Sequence, residues 1–245
     1  MIPAAAAYAY RDVQEGRMTF GMVVLAGGIG RRIGRPFPKQ FLLLGGKPLI
    51  IHVLEKARAL TELERVVITC PEAHLEETKQ LLKNHRMDAR FTCIVGGATR
   101  QESVYRGLQE LDGVDSVILH EAVRPLVTVA EFKALLDSPD ENAMYGTPLS
   151  FTVVRGHDYV EGLLDREELV NVQLPMKFDR AKLVAAHESA RDAGASFTDD
   201  ASLFVAHSND RVRILPGNDR NVKITVPADI VMAEALYADF IGRGS

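Results

Sequence analysis

The sequence predicts an α/β fold built on a mostly parallel sheet, and three observations carry that expectation. Short apolar runs rich in β-branched residues alternate with helix-length segments of 3.6-residue periodicity, the pattern of strand–helix–strand crossovers. The runs MVVLA (22–26), RVVITC (65–70), RFTCIV (90–95) and SVILH (116–120) are apolar almost throughout, as strands covered by helices on both faces must be. The chain has 245 residues, 47% hydrophobic and 25% charged, which is enough to bury a large core as one domain.

Between those strands, PLIIHVLEKARAL (48–60), PEAHLEETKQLLKN (71–84) and TRQESVYRGLQEL (99–111) read as helices. Pro48 and Pro71 stand where a first helical turn tolerates a missing N–H. Beyond residue 143 the alternation weakens, and YGTPLSFTVVRGHDYVEGLL reads as two short strands joined at Gly-His-Asp, an arm projecting from the sheet within residues 145–175. A helix returns in FDRAKLVAAHESARDAG, followed by TDDASLFVAH with a capping threonine, a strand in RVRILPG, and a strand plus helix in NVKITVPADIVMAEALYADF. Residues 1–20 read as an added tail before a single domain of 21–241, with Met18 an alternative start.

Composition narrows the function. With 29 Lys and Arg against 33 Asp and Glu the net charge is -4, which argues against a nucleic-acid or anionic-membrane surface, so positive charge has to act locally. Two cysteines, Cys70 and Cys93, make neither a disulfide framework nor a C-x-x-C metal site, and a reduced cytoplasm is the simplest setting. The opening residues lack the basic and long apolar regions of a signal peptide, and no run approaches the roughly 20 apolar residues of a membrane helix.

Local charge is concentrated in LAGGIGRRIGRPFPKQF (25–41), where four glycines, four cations and two prolines follow the first strand. Glycines after a strand let backbone N–H groups converge on an anion, so the expected ligand is a phosphate chain. The run is not G-x-x-x-x-G-K-[ST], and Ile33 stands where a dinucleotide fingerprint needs its third glycine. Arg31, Arg32, Arg35 and Lys39 supply enough charge to hold a triphosphate and to neutralise charge developing during group transfer. The plain alternative is a tight turn carrying solvated cations. Lys223 stands in an otherwise apolar strand-like pattern; it meets an anion there or faces outward.

LAGGIG…PKQF together with GGATRQESV (96–104), HEAVRP (120–125), TDDASL (198–203) and NVKIT (221–225) resembles, collinearly over about residues 21–238, the cytidylyltransferase family that contains the 2-C-methyl-D-erythritol 4-phosphate and ribitol-5-phosphate cytidylyltransferases. The resemblance implies a Rossmann-like three-layer nucleotidyltransferase fold, CTP and a polyol phosphate as substrates, Mg²⁺ as cofactor and a homodimer. It further implies that Ala26, Gly27, Gly28 and Gly30 line the CTP site and that Arg32 and Lys39 grip the triphosphate. By the same resemblance Lys223 reaches the α-phosphate, Gly97 and Ser103 lie near the cytosine or ribose, and Arg100 is structural or positions the ligand. Glu121, where the family usually has aspartate, would hold the metal. Arg124 would support the acceptor phosphate or its loop, and Thr152 and Arg166 would reach the acceptor from the arm, Arg166 across the dimer. The seven histidines, His120 among them, read as packed or surface residues.

The chain departs from the family pattern at Gln173-Leu174-Pro175-Met176, where Leu174 replaces a hydroxyl and Met176 an amide expected at the acceptor. It departs again at Arg220, beside Asp219, where a metal-binding aspartate is common. The LAGGIG opening resembles the ribitol-phosphate branch, so ribitol 5-phosphate is the first expectation for the acceptor; methylerythritol 4-phosphate is second, and an acceptor outside both branches is third. A catalytically degenerate nucleotide-binding protein is the reading from another class. Arg32, Lys39, Arg166 and Lys223 stand against it, since mere binding does not need cations at both ends of the reaction.

Overall fold

In a computed structural model the described residues are 18–28 and 38–242. Strand β1 (Phe20–Leu25) opens the fold, and after it come a two-strand ribbon of β2 (Leu43–Leu44) and β3 (Lys47–Pro48), then helix α1 (Leu49–Arg58). Three crossovers follow: β4 (Leu63–Cys70) into α2 (Leu75–Asn84), β5 (Phe91–Val95) into α3 (Arg100–Glu110), and β6 (Ser116–Glu121) into α4 (Val129–Leu136). The second half holds β7 (Ala143–Pro148), the hairpin β8 (Val153–Gly156) and β9 (Val160–Leu164), and β10 (Val170–Asp179). Helices α5 (Arg180–Asp192) and α6 (Asp200–His207), strand β11 (Arg213–Pro216) and helix α7 (Pro227–Gly242) complete it.

The main sheet runs β11-β7-β10-β6-β1-β4-β5, with β10 alone antiparallel to its neighbours. Alternation along β1 feeds both faces. Met22 and Val24 meet α1 and α4 residues such as Ile50, Leu54 and Phe132, whereas Val23 and Leu25 meet Leu108, Leu183 and Phe204 of α3, α5 and α6. The three-layer α/β architecture expected from the sequence is therefore present. Helix α3 comes closest to the sheet at Gly107, where a β-carbon would stand 2.7 Å from a Val23 methyl. No helix among the described residues is long and apolar enough to cross a membrane.

Several sequence expectations need correction. Of the expected tail, residues 1–17 lie outside the described residues, but Thr19 donates its backbone N–H to Asp115 at 2.8 Å and Phe20 already belongs to β1. β7 and β10 belong to the main sheet, and the projecting hairpin β8–β9 lies within the 145–175 segment. NVKIT is irregular chain rather than a strand; its Ile224 N–H is held by the Val123 carbonyl at 2.9 Å. Asp199, not Thr198, caps α6, accepting from the Ser202 N–H at 2.9 Å. Helix α4 packs the stripe Val129, Phe132, Leu135 and Leu136 into the core and opens on a T-x-x-E capping box, Thr128 with Glu131.

Replacing Gly107 by valine forces two methyls and a β-carbon into the α3–β1 contact, and overpacking of that kind costs about 1–3 kcal/mol. The expected result is a lower urea midpoint with an unchanged m-value. A midpoint equal to wild type would show that the layers are not held at this spacing.

Candidate active site

A cleft of about 290 Å³ opens at the carboxyl ends of β1, β5 and β6, where open α/β sheets bind ligands. Its first wall is Ala26-Gly27-Gly28, directly after β1. The Thr69 carbonyl at the end of β4 receives the Ala26 N–H at 2.8 Å, and the Gly28 carbonyl receives the Lys39 N–H at 3.3 Å. The second wall is the turn Gly97-Ala98-Thr99 running into α3. Thr99 caps that helix by accepting the Glu102 N–H, while the Glu102 carboxylate accepts the Ala98 N–H at 2.8 Å. Ser103 Oγ accepts the Gly97 N–H at 3.0 Å and donates to the Thr99 carbonyl at 2.8 Å. A β-carbon on Gly97 would lie 2.4 Å from the Glu102 side chain, so only glycine lets the turn close. The result is a helix N-terminus facing the cleft, a ready anion site.

Glu121 forms the cleft's charged floor. Its Oε1 lies 2.7 Å from Lys223 Nζ and 3.8 Å from Arg100 Nε, and its Oε2 lies 3.1 Å from Arg124 Nε. Burial alone would raise this carboxyl's pKa, but Lys223, Arg124 and Arg100 outweigh burial and hold it below the usual carboxylate range. Behind it, Arg100 pairs with Asp200 at 2.7 Å, and Asp200 lies 3.3 Å from His187. Asp200 follows the same logic, with burial overcome first by Arg100 and then by His187. Lys39, nearly buried, reaches the Thr225 carbonyl at 2.8 Å. Lys39, Arg100, Arg124 and Lys223 thus gather around Glu121 and Asp200, with Asp199 also acting on Arg100. Cations gathered beside two glycine turns suit a polyphosphate.

Most residues singled out in the sequence meet here: Ala26, Gly27, Gly28, Lys39, Gly97, Ser103, Glu121 and Lys223 all line the cleft. Gly30, Arg31, Arg32 and Arg35 lie outside the described residues. Arg124 is buried behind the cleft, giving Nε to Glu121 and one guanidinium nitrogen to the Asn221 carbonyl at 2.9 Å, so it holds the 217–221 loop. Thr152 and Arg166 come together on the arm in a separate shallow pocket of about 420 Å³ that shares no residue with the cleft.

The departures at 174 and 176 are packing changes and do not alter the cleft lining. Leu174 and Met176 are buried in the apolar layer with Phe178 and Leu183. Gln173 and the Asn221 amide instead tie β10 to the loop, through Asn218 and the Leu174 carbonyl. Arg220 pairs with Asp239 of α7 at 3.4 Å. His120 is fully buried, packs edge-on against Phe132, and sits 3.2 Å from the Arg124 carbonyl; burial pushes its pKa down to about 3. It stays neutral at physiological pH, as its packed reading requires. In the ligand-free cleft Glu121 is engaged by cations, Oε1 by Lys223 and Oε2 by Arg124. Among the described residues no cluster of three or more His, Cys, Asp or Glu could hold a metal.

Sequence reasoning missed Asp200, although TDD carried the signal: a second aspartate just inside a helix, completely buried beside an arginine. It also passed over Gln40 of PKQ, which lines the cleft with neither amide atom hydrogen-bonded.

The family model described as IspD, 2-C-methyl-D-erythritol 4-phosphate cytidylyltransferase, matches residues 20–239. The 2-C-methyl-D-erythritol 4-phosphate cytidylyltransferase of Geobacillus kaustophilus is 36% identical over 224 residues, covering 90% of this chain and 98% of that protein. The solved structure of the enzyme of the same name from Thermus thermophilus superposes with TM-score 0.73 at 29% identity, over 89% of this chain and 98% of that one. That of 4-diphosphocytidyl-2C-methyl-D-erythritol synthase from Anaerococcus prevotii, at 24% identity, has the same fold, with TM-score 0.79 over 90% of this chain and 96% of that one.

Because Glu121 and Asp200 are held below their unfolded values of about 4.3 and 3.9, the stability they contribute is complete above those values and is lost as pH falls through the folded ones. Stability of the Glu121→Gln variant, followed by denaturant midpoints from pH 6 to pH 3, is therefore expected to fall less steeply than that of wild type. Parallel curves would mean that Glu121 is not a depressed carboxylate.

Proposed function

The chain belongs to the 2-C-methyl-D-erythritol 4-phosphate cytidylyltransferase family and is a CTP-dependent nucleotidyltransferase, and from that premise we propose that it transfers the cytidylyl group of CTP to 2-C-methyl-D-erythritol 4-phosphate, releasing pyrophosphate. The relatives' names favour this acceptor over ribitol 5-phosphate, which the LAGGIG opening alone suggested. The observation that carries the reading is the collar of Lys39, Arg100 and Lys223 around two glycine-bearing turns and the N-terminus of α3.

The chemistry follows from that collar. An acceptor phosphate with a second pKa of about 6 is already a nucleophilic dianion at neutral pH, so no general base is required. Its oxygen attacks the α-phosphorus of CTP in line with the leaving pyrophosphate, and charge builds on the equatorial oxygens. In this reading Lys223 meets the α-phosphate, while Lys39 and Arg32 hold the β- and γ-phosphates as pyrophosphate departs. Ala26, Gly27, Gly28, Gly30, Gly97 and Ser103 shape the nucleotide's bed. Glu121 keeps Lys223 aimed into the cleft, and Arg124 fixes the loop behind it. Mg²⁺ is the proposed companion ion, carried by the nucleotide's phosphate oxygens. No step is routed through it, since the described residues gather no group of three metal-ligating side chains.

The acceptor half is proposed to need a second copy of the chain. Phe151, Tyr159, Val160 and Leu163 on and beside the β8–β9 hairpin are each more than 70% exposed, a surface that a partner arm would cover. Such a partner would bring Thr152 and Arg166 to the cleft's open side. The cytoplasm, where CTP is made, is the proposed setting.

The decisive assay measures pyrophosphate release with CTP, Mg²⁺ and either methylerythritol 4-phosphate or ribitol 5-phosphate. Release with the first acceptor only is expected; release with ribitol 5-phosphate only would overturn the proposed substrate. Lys223→Ala should lower kcat by about 10²-fold or more with the fold intact. Arg166→Ala should mainly raise KM for the acceptor. Mixing inactive Lys223→Ala with Arg166→Ala protein should restore part of the activity, since one of the two sites in a mixed dimer is then whole. No recovery on mixing, in a sample shown to exchange subunits, would place Arg166 in its own subunit's site.

A further inference from the structure

Cys70 ends β4 and Cys93 lies within the adjacent parallel strand β5, with Ile68 opposite Cys93 and Cys70 opposite Val95. Both side chains project from the same face of the sheet, the face covered by α2, and their sulfurs are 3.3 Å apart. Both are free thiols; Cys70 is fully buried and Cys93 is partly exposed. The groups around them are Thr78 of α2, His74, Lys79 and, on the exposed side, Glu76. The hydrogen bond from Cys93 lowers the Cys70 pKa to about 7 against the effect of burial, and Thr78, His74 and Lys79 help. Cys93 correspondingly keeps its proton, since losing it would place two thiolates in contact.

The end of β4 is also where the nucleotide cleft is suspended. The Thr69 carbonyl holds the Ala26 N–H of the first glycine turn at 2.8 Å, and the Cys70 carbonyl holds the Gly96 N–H of the second at 2.8 Å. A movement of this strand end is therefore passed to both walls of the cleft through single hydrogen bonds. The two cysteines are diagonal rather than opposite partners in the β4–β5 register, so closing their 3.3 Å sulfur gap to the roughly 2 Å of a disulfide requires the strand ends to move.

We propose that Cys70 and Cys93 are a dithiol switch: a peroxide converts them to a cross-strand disulfide, and the resulting shift of the β4 end weakens CTP binding. The coupling to CTP rests on the nucleotide reading of the cleft, but formation of the bond does not. In the first step the partly exposed Cys93 passes its proton to the Cys70 thiolate as its own sulfur attacks the peroxide O–O bond, giving a Cys93 sulfenic acid; the released hydroxide takes that proton back, leaving one water and the Cys70 thiolate. The Cys70 thiolate then attacks the Cys93 sulfur; the S–S bond forms as the S–O bond breaks, and the hydroxide takes up a proton to leave as a second water. Two thiols lose two electrons and two protons in total, and hydrogen peroxide becomes two waters. A dithiol reductant reverses the change.

The test uses the full-length protein, treated with hydrogen peroxide and then with dithiothreitol. Peptide mass spectrometry should find a Cys70–Cys93 linkage, with the intact mass lower by about 2 Da. CTP affinity, read by calorimetry, should weaken about tenfold or more on oxidation, as small displacements at a binding site commonly do, and should recover on reduction. Cys93→Ser, at the less buried position, should bind CTP like reduced wild type before and after peroxide; Cys70→Ser is the second variant and should behave alike. Oxidation that stops at a sulfenic acid or yields no linkage overturns the switch, and a linkage that leaves CTP affinity unchanged overturns its coupling to the cleft. Reduced protein that binds no CTP would overturn the functional reading and the coupling together, while the mass spectrum still decides whether the bond forms.

Discussion

The Glu121 carboxylate at the carboxyl end of β6 organises the rest of the site. A carboxylate that is 5% exposed would be strongly disfavoured by itself, and it persists in charged form because Lys223, Arg124 and Arg100 converge on it from three parts of the chain. Each contact fixes a different element. Arg100 anchors the start of α3 and, through Asp200, the start of α6; Arg124 carries the 217–221 loop by way of the Asn221 carbonyl; Lys223 belongs to the irregular segment that forms the cleft's far side. Removing the carboxylate would leave three cations repelling one another in a poorly solvated space. The cost would be felt as misplacement of the cleft before it was felt as loss of fold.

The same arrangement answers a difficulty of phosphoryl chemistry, which is to keep cations in place while the cleft is empty. Unpaired cations facing one another would turn away, whereas Glu121 and Asp200 provide internal counter-charges that hold them in place. Lys223 is the partner best able to be shared: its side chain is 40% exposed, against 9% for Arg124. On the proposed reading an arriving phosphate would compete with Glu121 for Lys223 while Arg124 stays fixed, so the loop geometry would survive the exchange. Such preorganisation lowers the reorganisation needed when charge develops in the transition state.

The fold was legible where local chemistry and packing agree. Strands β1, β4 and β6 announce themselves because helices on both faces allow only apolar residues, as the alternate burial of Met22, Val24 and of Val23, Leu25 illustrates, whereas edge strand β5 exposes Thr92. Glycine turns at 27–28 and 96–97 were readable for the same reason: their backbone demands are local. What could not be read depended on distant partners. NVKIT carries the apolar pattern of a strand, yet its residues pack in the small cluster under α7 and find no ladder to join. The role of Asp200 exists only because α3 and α6 start side by side, and the inward turn of Leu174 and Met176 exists only because β10 runs through the middle of the sheet. A cross-family comparison of the Q-L-P-M run suggests lost acceptor contacts; its burial shows apolar residues serving an apolar layer.

The division between cleft and arm bears on why the chain would pair at all. The described cleft residues come from the end of β1, residues 39–40, the start of α3, β6 and the 223–225 segment of one chain, so on the proposed reading nucleotide binding needs no second copy. Thr152 and Arg166 are held apart from it, at the root of a hairpin whose outward residues are too apolar to favour water. A two-stranded hairpin is marginal on its own, and covering its apolar side by an identical arm would both stabilise it and fix where Arg166 points. On the proposed dimer, assembly and acceptor recognition are then the same event: the surface that drives pairing also carries the residues that complete the site, and an isolated chain would hold its nucleotide beside an acceptor half that is not yet formed.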